Sequence, residues 1–202
     1  MPKCGSLPVD MGLIDISPKE MMFWMYCPIK LPYGQIMLPD NLTQFKPIIE
    51  KVLENEYVGS SYMYITAKTL WVSGDYIGNR PGWHIDGFGT DDVNYIWCSI
   101  APTEFIAGDF GISDDCEQSM KDMEALAEKN ESIFFKDKHL LRLDNTVIHR
   151  SPVMFAPGMR SFVKISVSKN VYNLEGNSVN HLLGEFLQYR PRNVERNHPA
   201  TL

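Results

Sequence analysis

The chain has 202 residues, a net charge of −6 and a sequence pI near 5.4. This length suits one domain with a sizeable core, and a content of 44% hydrophobic and 22% charged residues is ordinary for a globular protein. The acidic balance argues against strong binding to duplex nucleic acid, which needs clustered lysines and arginines, and no apolar stretch is long enough to cross a membrane.

We expect a single domain over residues 1–202, located in the cytoplasm, because no linker, repeat or signal-peptide pattern interrupts the sequence. Its core is expected at about residues 60–170, with a covering segment at 1–59 and a C-terminal helix and tail at 171–202. The cysteines have no short pair spacing, so we expect free thiols in a reducing compartment. They are Cys4, Cys27, Cys98 and Cys116.

The first forty residues are rich in proline, glycine, methionine and aromatics, which is typical of an irregular segment with one or two short strands. We interpret residues 21–26 as a buried covering strand, with contact to a substrate as the alternative. Asp40 or Asn41 is expected to cap a helix that packs outside the sheet. Its apolar residues recur at helical spacing: Phe45, Ile48, Ile49, Val52 and Leu53.

From residue 60 the pattern becomes strand-like. Residues 62–66 and 69–72 are rich in aromatic and β-branched side chains, and residues 93–100 form a third apolar run of the same kind. Further strands are expected at 132–135 and 140–143, and residues 117–130 mix acids, bases and methionines at helical spacing. This helix is a surface connection or a lid over a site. The fold is therefore expected to be mainly β, with a few flanking helices.

The tripeptide His84-Ile85-Asp86 lies between these strands. In an extended strand His84 and Asp86 project to one side and Ile85 to the other, so two potential metal ligands reach one point. Asp91 and Asp92 follow closely enough to compete for the carboxylate role, but they lack this two-residue spacing and are expected in a solvated loop.

His149 is the best candidate for a third ligand, because it lies in the strand-like run 141–153. Two imidazoles and one carboxylate on one face of a metal suit Fe(II) and leave coordination positions open. Arg160 follows eleven residues later, beyond the turn signal Pro157-Gly158, and we expect it beside His149 in one hairpin. A guanidinium there is suited to a carboxylate.

His84-x-Asp86, His149 and Arg160, in this order and at these separations, resemble the signature of the Fe(II)/2-oxoglutarate-dependent dioxygenases. Residues 107–110 are similar to a turn in the prolyl-hydroxylase-like branch of that superfamily. Residues 149–153, followed by residues 158–160, are similar to the end of the signature of the same branch. One departure is Phe162, where many relatives carry Ser or Thr. The resemblance covers about residues 60–170.

The resemblance implies a double-stranded β-helix, of the jelly-roll or cupin-like kind, with His84, Asp86 and His149 as catalytic Fe(II) ligands. It implies 2-oxoglutarate and O2 as co-substrates, with Arg160 on the far carboxylate; Lys164, on the same strand face, is the alternative anchor. Tyr64 and Trp97 are candidates to complete the co-substrate pocket, with a role in the core as the alternative.

The expected reaction hydroxylates a C–H bond while 2-oxoglutarate is decarboxylated to succinate and CO2. The primary substrate stays open among a free amino acid, a peptidyl residue and a nucleobase, and no membrane partner is expected. Two other functions stay open as well. One is a cupin-like metalloprotein that does not use 2-oxoglutarate, and the other is a non-catalytic β-sandwich binding module.

Overall fold

The structure, a computed structural model, describes residues 2–74, 76–153, 155–184 and 188–192 of the chain. Its strands, β1 to β11 in chain order, are Lys3–Cys4, Val9–Leu13, Met22–Lys30, Tyr62–Val72, Val93–Cys98, Glu104–Phe105, Phe110–Gly111, Ile133–Phe134, His139–Leu143, His149–Arg150 and Gly158–Ser168. The helices are α1, Lys46–Asn55, and α2, Cys116–Ala127, with 3-10 turns at Asp40–Phe45 and His181–Leu183. The chain is mainly β with two flanking α-helices, which confirms the expected fold class at this level.

The centre of the molecule is a six-stranded antiparallel sheet in the order β2-β9-β5-β11-β4-β3. β4 and β11 pair over eleven residues, from Tyr62 opposite Ser168 to Val72 opposite Gly158. The sequence predicted two short strands where β4 runs unbroken, because Ala67 and Lys68 continue the ladder between the two apolar runs. β4 and β11 are therefore the long supports of the sheet.

One face of this sheet is apolar and packs against α1. Alternate residues of β11, namely Val163, Ile165 and Val167, meet α1 residues such as Ile48 and Val52 in one buried cluster. α1 begins at Lys46 rather than at the expected Asp40 cap, where a 3-10 turn precedes it. Pro47 explains the boundary, because a proline fits the first turn of an α-helix but not its interior.

The opposite face of the six-stranded sheet lies across from a second antiparallel sheet, β10-β6-β8. Phe105 of the second sheet and Val147, two residues before β10, meet Ile96, Leu141 and Phe162 of the first sheet in a buried cluster, so the two sheets form a sandwich. α2 covers the outer face of the second sheet through Met123 and its neighbours. The molecule is layered as α1, six strands, three strands and α2.

α2 joins β7 to β8 and packs on the three-stranded sheet. It begins one residue before the predicted range, and the carboxylate of Asp115 accepts hydrogen bonds from the backbone N–H groups of Glu117 and Gln118, at 3.1 and 2.8 Å. β1 and β7 form a separate two-stranded sheet, and β7 is the strand that precedes α2 in the chain.

The expected hairpin between His149 and Arg160 is wrong. His149 belongs to β10 and pairs with β6 in the three-stranded sheet, whereas Arg160 belongs to β11 and pairs with β4 in the six-stranded sheet. The turn signal at Pro157-Gly158 marks the place where the chain crosses from one sheet to the other. The two side chains therefore approach the interior from opposite walls.

The C-terminal region is less helical than predicted. Where a C-terminal helix is expected within residues 171–202, the described part contains a single 3-10 turn, and residues 185–187 lie outside the described residues. Arg190 pairs with Leu174, and the polar tail from residue 193 onward also lies outside the described residues. Among the helices that the structure describes, none combines the length and apolar character that a membrane span requires. All four cysteines are free.

Candidate metal centre

The first two candidate ligands lie where the chain enters the three-stranded sheet after Gly82. His84 exchanges two backbone hydrogen bonds with His149, each 2.9 Å long. Because extended residues alternate, His84 and Asp86 face the space between the sheets while Ile85 is buried in the cluster under α2. The side-chain directions expected from the His-x-Asp spacing are those of the structure.

The same backbone pairing places the two histidine rings side by side, with their centroids 4.5 Å apart. Nδ1 of His84 lies 2.9 Å from the carbonyl oxygen of Gly82, and Nδ1 of His149 lies 3.1 Å from that of Val147. A carbonyl oxygen only accepts, so each Nδ1 carries the proton and donates it. The Nε2 lone pair of each ring is then available to a metal.

Asp86 completes a group of three. Its Oδ2 lies 3.6 Å from Nε2 of His149, and one ligand atom from each of the three side chains lies within 4.8 Å of the others. Among the residues that the structure describes, this is the one such cluster of histidine, cysteine or carboxylate groups that is close enough to hold an ion. Residues 63 positions apart in the sequence therefore meet at one point.

The charges of the three groups suit a cation. Burial, and then the neighbouring His149, lowers the pKa of His84 to about 4, so its imidazole is neutral at neutral pH. Burial alone would raise the pKa of the Asp86 carboxyl, but Lys164, His149 and His84 outweigh it and hold that pKa well below its ordinary value. An unprotonated imidazole nitrogen beside an ionised carboxylate is the state that binds metal.

Lys164 is the nearest cation to this group. Its Nζ donates to Oδ2 of Asp86 at 3.0 Å and to the hydroxyl of Tyr26 at 3.0 Å. Burial would lower the pKa of Lys164, but Asp86 and Tyr26 raise it above the ordinary value. Lys164 is therefore a buried ammonium that balances the charge of Asp86, not a solvated side chain.

The triad opens into a cavity of about 280 Å³ between the two sheets. Its lining contains one carboxylate, that of Asp86, and several basic side chains. The basic residues are Lys68, Arg80, Arg150, Lys164 and Arg192. Its apolar and aromatic lining residues include Met25, Tyr26, Phe88, Ile96, Phe162 and Tyr172. Arg150 pairs with Glu104 and Lys164 pairs with Asp86, and the further positive charge of Lys68, Arg80 and Arg192 suits an anionic ligand beside the metal position.

Arg160, the expected anchor for a carboxylate, lies on the cavity side of the sheet but is not part of the cavity lining. Its Nε donates to the carbonyl oxygens of Ile100 and Ala101, at 3.2 and 3.1 Å, and its Nη2 lies 3.2 Å from Sγ of Cys98. The guanidinium also packs 5.4 Å from the centre of the Phe162 ring. Arg160 is thus bound to backbone at the end of the cavity.

Trp97 does not reach the cavity. It faces α1, on the opposite side of the six-stranded sheet, where its indole N–H donates to the carbonyl oxygens of Ile14 and Lys138 at 3.0 and 2.9 Å. The alternative role in the core is the one that the structure shows. Tyr64 lies on the cavity side, but its hydroxyl is engaged by the backbone at Asn170 and Tyr172, at 3.1 Å each.

The rival acids Asp91 and Asp92, and His139, lie apart from the triad. Asp91 pairs with Lys169 on the surface at 2.8 Å, whereas Asp92 is buried and bonds to the hydroxyls of Ser168 and Tyr172. The expectation of a solvated loop is therefore wrong for Asp92. His139 contacts Asp10 at 2.9 Å, away from the cavity.

Tyr26 and Lys68 line the cavity. Tyr26 belongs to residues 21–26, for which contact with a substrate is the alternative expectation, whereas Lys68 is not among the predicted site residues. Tyr26 lies in an irregular stretch of β3, between Trp24 and Cys27, and has a positive φ of 45°. Such backbone irregularities redirect a side chain, and no alternation rule locates them. The sequence feature that could have identified Lys68 is a charged side chain in the middle of a mostly apolar strand, β4.

No protein-family model matches this sequence, and no curated protein does either. The features of the molecule that bear on function are the triad, the charge of the cavity and the order of the strands.

Proposed function

We propose that this protein is an Fe(II)- and 2-oxoglutarate-dependent dioxygenase that hydroxylates a C–H bond of its substrate. The observation that carries the proposal is the meeting of His84, Asp86 and His149 at the wall of a cavity lined with basic side chains. An uncharged metal-binding group in a cavity lined with acidic side chains would instead favour a cationic ligand.

The donor set favours Fe(II). Two imidazoles and one carboxylate occupying one face of an ion are the ligands of non-haem iron oxygenases, since they leave several positions open for small ligands. The fit is supported by the second contacts of the ligands, because the Nδ1 atoms of His84 and His149 are held by carbonyl oxygens and Asp86 is held by Lys164. These contacts fix the ring orientations before any ion arrives.

The order of the strands supports the double-stranded β-helix. After β4 in the six-stranded sheet, the chain passes His84 in the second sheet, returns to β5, crosses to β6 and β8, returns to β9, crosses to β10 and ends in β11. Such alternation between two facing sheets is what a jelly roll requires, although β7 pairs with β1 outside both sheets. It also delivers His84 and His149 to one wall and β11 to the other.

Bound iron would supply the site at which O2 and a 2-oxo acid react, with the overall conversion of substrate, 2-oxoglutarate and O2 into hydroxylated product, succinate and CO2. The residues of the chain would bind the ion and the co-substrate and limit access of water. Asp86 and the two imidazoles hold the ion, and the basic lining residues attract the dianionic co-substrate. Phe88, Ile96 and Phe162 make part of the wall apolar, which limits water at the reacting group.

The proposal is tested by adding Fe(II) and then 2-oxoglutarate without oxygen, and recording visible absorption. We expect a charge-transfer band in the wild type and none in His84→Ala or Asp86→Ala. His181→Ala is the matched control, because His181 is exposed and does not line the cavity, and this variant should keep the band. Succinate release in a substrate screen would then identify the hydroxylated compound.

One observation favours a second candidate, a metalloprotein of similar architecture that works without a 2-oxo acid. The guanidinium of Arg160 is already held by the carbonyl oxygens of Ile100 and Ala101, so the expected carboxylate anchor is engaged elsewhere. Metal binding without the charge-transfer band would favour this candidate. Absence of metal binding would favour a non-catalytic binding module instead.

A further inference from the structure

We propose that Lys68 on β4, and not Arg160 on β11, holds the far carboxylate of the 2-oxo acid. The inference rests on the proposed function, because it assigns a residue of this chain to the co-substrate of that reaction. It also accounts for the binding of a 2-oxo acid by a protein in which Arg160 is held by the backbone carbonyl oxygens of Ile100 and Ala101.

Every nitrogen of the Arg160 guanidinium already contacts a protein atom. Arg160 is 2% exposed, its Nε and Nη2 contact the carbonyl oxygens of Ile100 and Ala101 and the sulfur of Cys98, and its Nη1 donates to Oδ1 of Asn79 at 3.4 Å. Phe162 lines the cavity and Arg160 packs against the ring of Phe162, so the aromatic ring is what a ligand would meet.

Lys68 is placed differently. It lines the cavity, and its Nζ donates to the carbonyl oxygen of Gly78 at 2.9 Å and lies 4.9 Å from the centre of the Phe23 ring. Among the ion pairs of the described residues, none joins Lys68 to a carboxylate. Burial, and then the like charges of Lys164 and Arg160, lowers the pKa of Lys68 to about 8. A carboxylate ligand would supply the missing counter-charge.

The register of the sheet places Lys68 within reach. Lys164, which touches the ligand Asp86, lies opposite Thr66, and the next residue pair on the same face is Phe162 opposite Lys68. Residues two apart on a strand are separated by about 6.6 Å, so Lys68 lies one such step along the sheet from Lys164, on the neighbouring strand, and Arg160 lies two steps from Lys164. Two methylene groups separate the keto group of 2-oxoglutarate from its far carboxylate, which suits the nearer position.

The test compares two ligands that differ only in the far carboxylate, 2-oxoglutarate and 2-oxopentanoate. Each is titrated calorimetrically into protein that holds Mn(II) in place of Fe(II), so no turnover is needed. A charged hydrogen bond of this kind predicts that the wild type binds 2-oxoglutarate about tenfold to a hundredfold more tightly than 2-oxopentanoate. Lys68→Met should bind both ligands equally weakly, with Mn(II) affinity unchanged.

Two further variants make the result specific. Lys68→Arg keeps a cation and should restore part of the preference for 2-oxoglutarate, which a purely structural effect would not do. Lys169→Met removes a lysine that pairs with Asp91 on the surface, outside the cavity, and should keep the full preference.

The possible results distinguish the assignment of Lys68 from the proposed function. Retention of the preference in Lys68→Met, or its loss in Arg160→Met with Lys68→Met unaffected, would overturn the assignment and leave the proposed function standing. Failure of the wild type to bind 2-oxoglutarate with Mn(II) bound would overturn both. Thermal melting of each variant monitors folding, and Lys68→Met is expected to fold because it removes a half-buried cation that pairs with no carboxylate of the described residues.

Discussion

The side chains of β11 alternate between two environments, and the contrast between them separates folding from function in this protein. Val163, Ile165 and Val167 face α1 in an apolar cluster, whereas Phe162 and Lys164 face the cavity. The first face gains free energy by removing apolar surface from water. The second holds a buried ammonium beside a half-buried carboxylate, an arrangement that contributes little net stability. One strand therefore supports the fold on one side and the site on the other.

The largest effect is expected on the face that packs against α1. Ile165 is fully buried there, so Ile165→Ala should lower the free energy of unfolding by about 4 kcal/mol, through lost apolar burial and the cavity left behind. Urea denaturation measures the change. Metal affinity of the folded variant should be unaffected, and a loss of metal affinity at full folding would break the separation between the two faces.

On the cavity face, Lys164→Met should destabilise the metal-free protein by about 3 kcal/mol, because Asp86 is left buried without its cation. A divalent ion should restore most of this loss by replacing the missing positive charge. Melting temperatures with and without Mn(II) provide the measurement. The stabilisation by metal should be larger in the variant than in the wild type, and equal stabilisation would count against a charge-balancing role for Lys164.

A pH-dependent contribution is expected from Lys68. Its pKa in the folded protein is lowered to about 8 by burial and then by Lys164 and Arg160, from the ordinary value of 10.5. Between these values the unfolded chain binds the proton and the folded chain does not, so folding becomes more favourable as the pH rises. The wild type should gain about 2 kcal/mol relative to Lys68→Met between pH 8 and pH 10. Parallel stability profiles of the two proteins would contradict this.

The smallest effect is expected for Tyr26→Phe, which removes the hydroxyl that accepts a hydrogen bond from Lys164. A loss of about 1 kcal/mol in the free energy of unfolding is expected, because Lys164 keeps its contact with Asp86. Chemical denaturation of the metal-free protein gives the value. A loss as large as that of Lys164→Met would mean that the tyrosine, rather than the carboxylate, is the main partner of the ammonium.

The sequence predicted those features that follow from local patterns. Alternation along a strand is a property of the backbone, so the common direction of His84 and Asp86 needed only their spacing. The helical spacing of Ile48, Ile49 and Val52 likewise predicted α1, because an apolar stripe has one face to bury. His149 could be paired with Asp86 because few other histidines lie in apolar strands.

The sequence did not determine which face of a doubly buried strand meets the cavity. In β5, Ile96 and Trp97 are both buried, one toward each side of the sheet, so the apolar pattern has no polar side to mark the outside. The choice of Trp97 as a pocket residue failed for this reason. The placement of Arg160 depended on a sheet crossing that a turn signal alone cannot distinguish from a hairpin.

The paired backbones of His84 and His149 have a consequence for how the protein acquires and loses an ion. Because the two ligand-bearing residues are tied to each other by main-chain hydrogen bonds, the imidazoles are gathered when the chain folds. Proteins whose metal ligands assemble only around the ion melt when a chelator withdraws it. Here EDTA should strip the centre while the circular dichroism spectrum stays that of the native protein, and re-addition of the ion should restore the centre without any refolding.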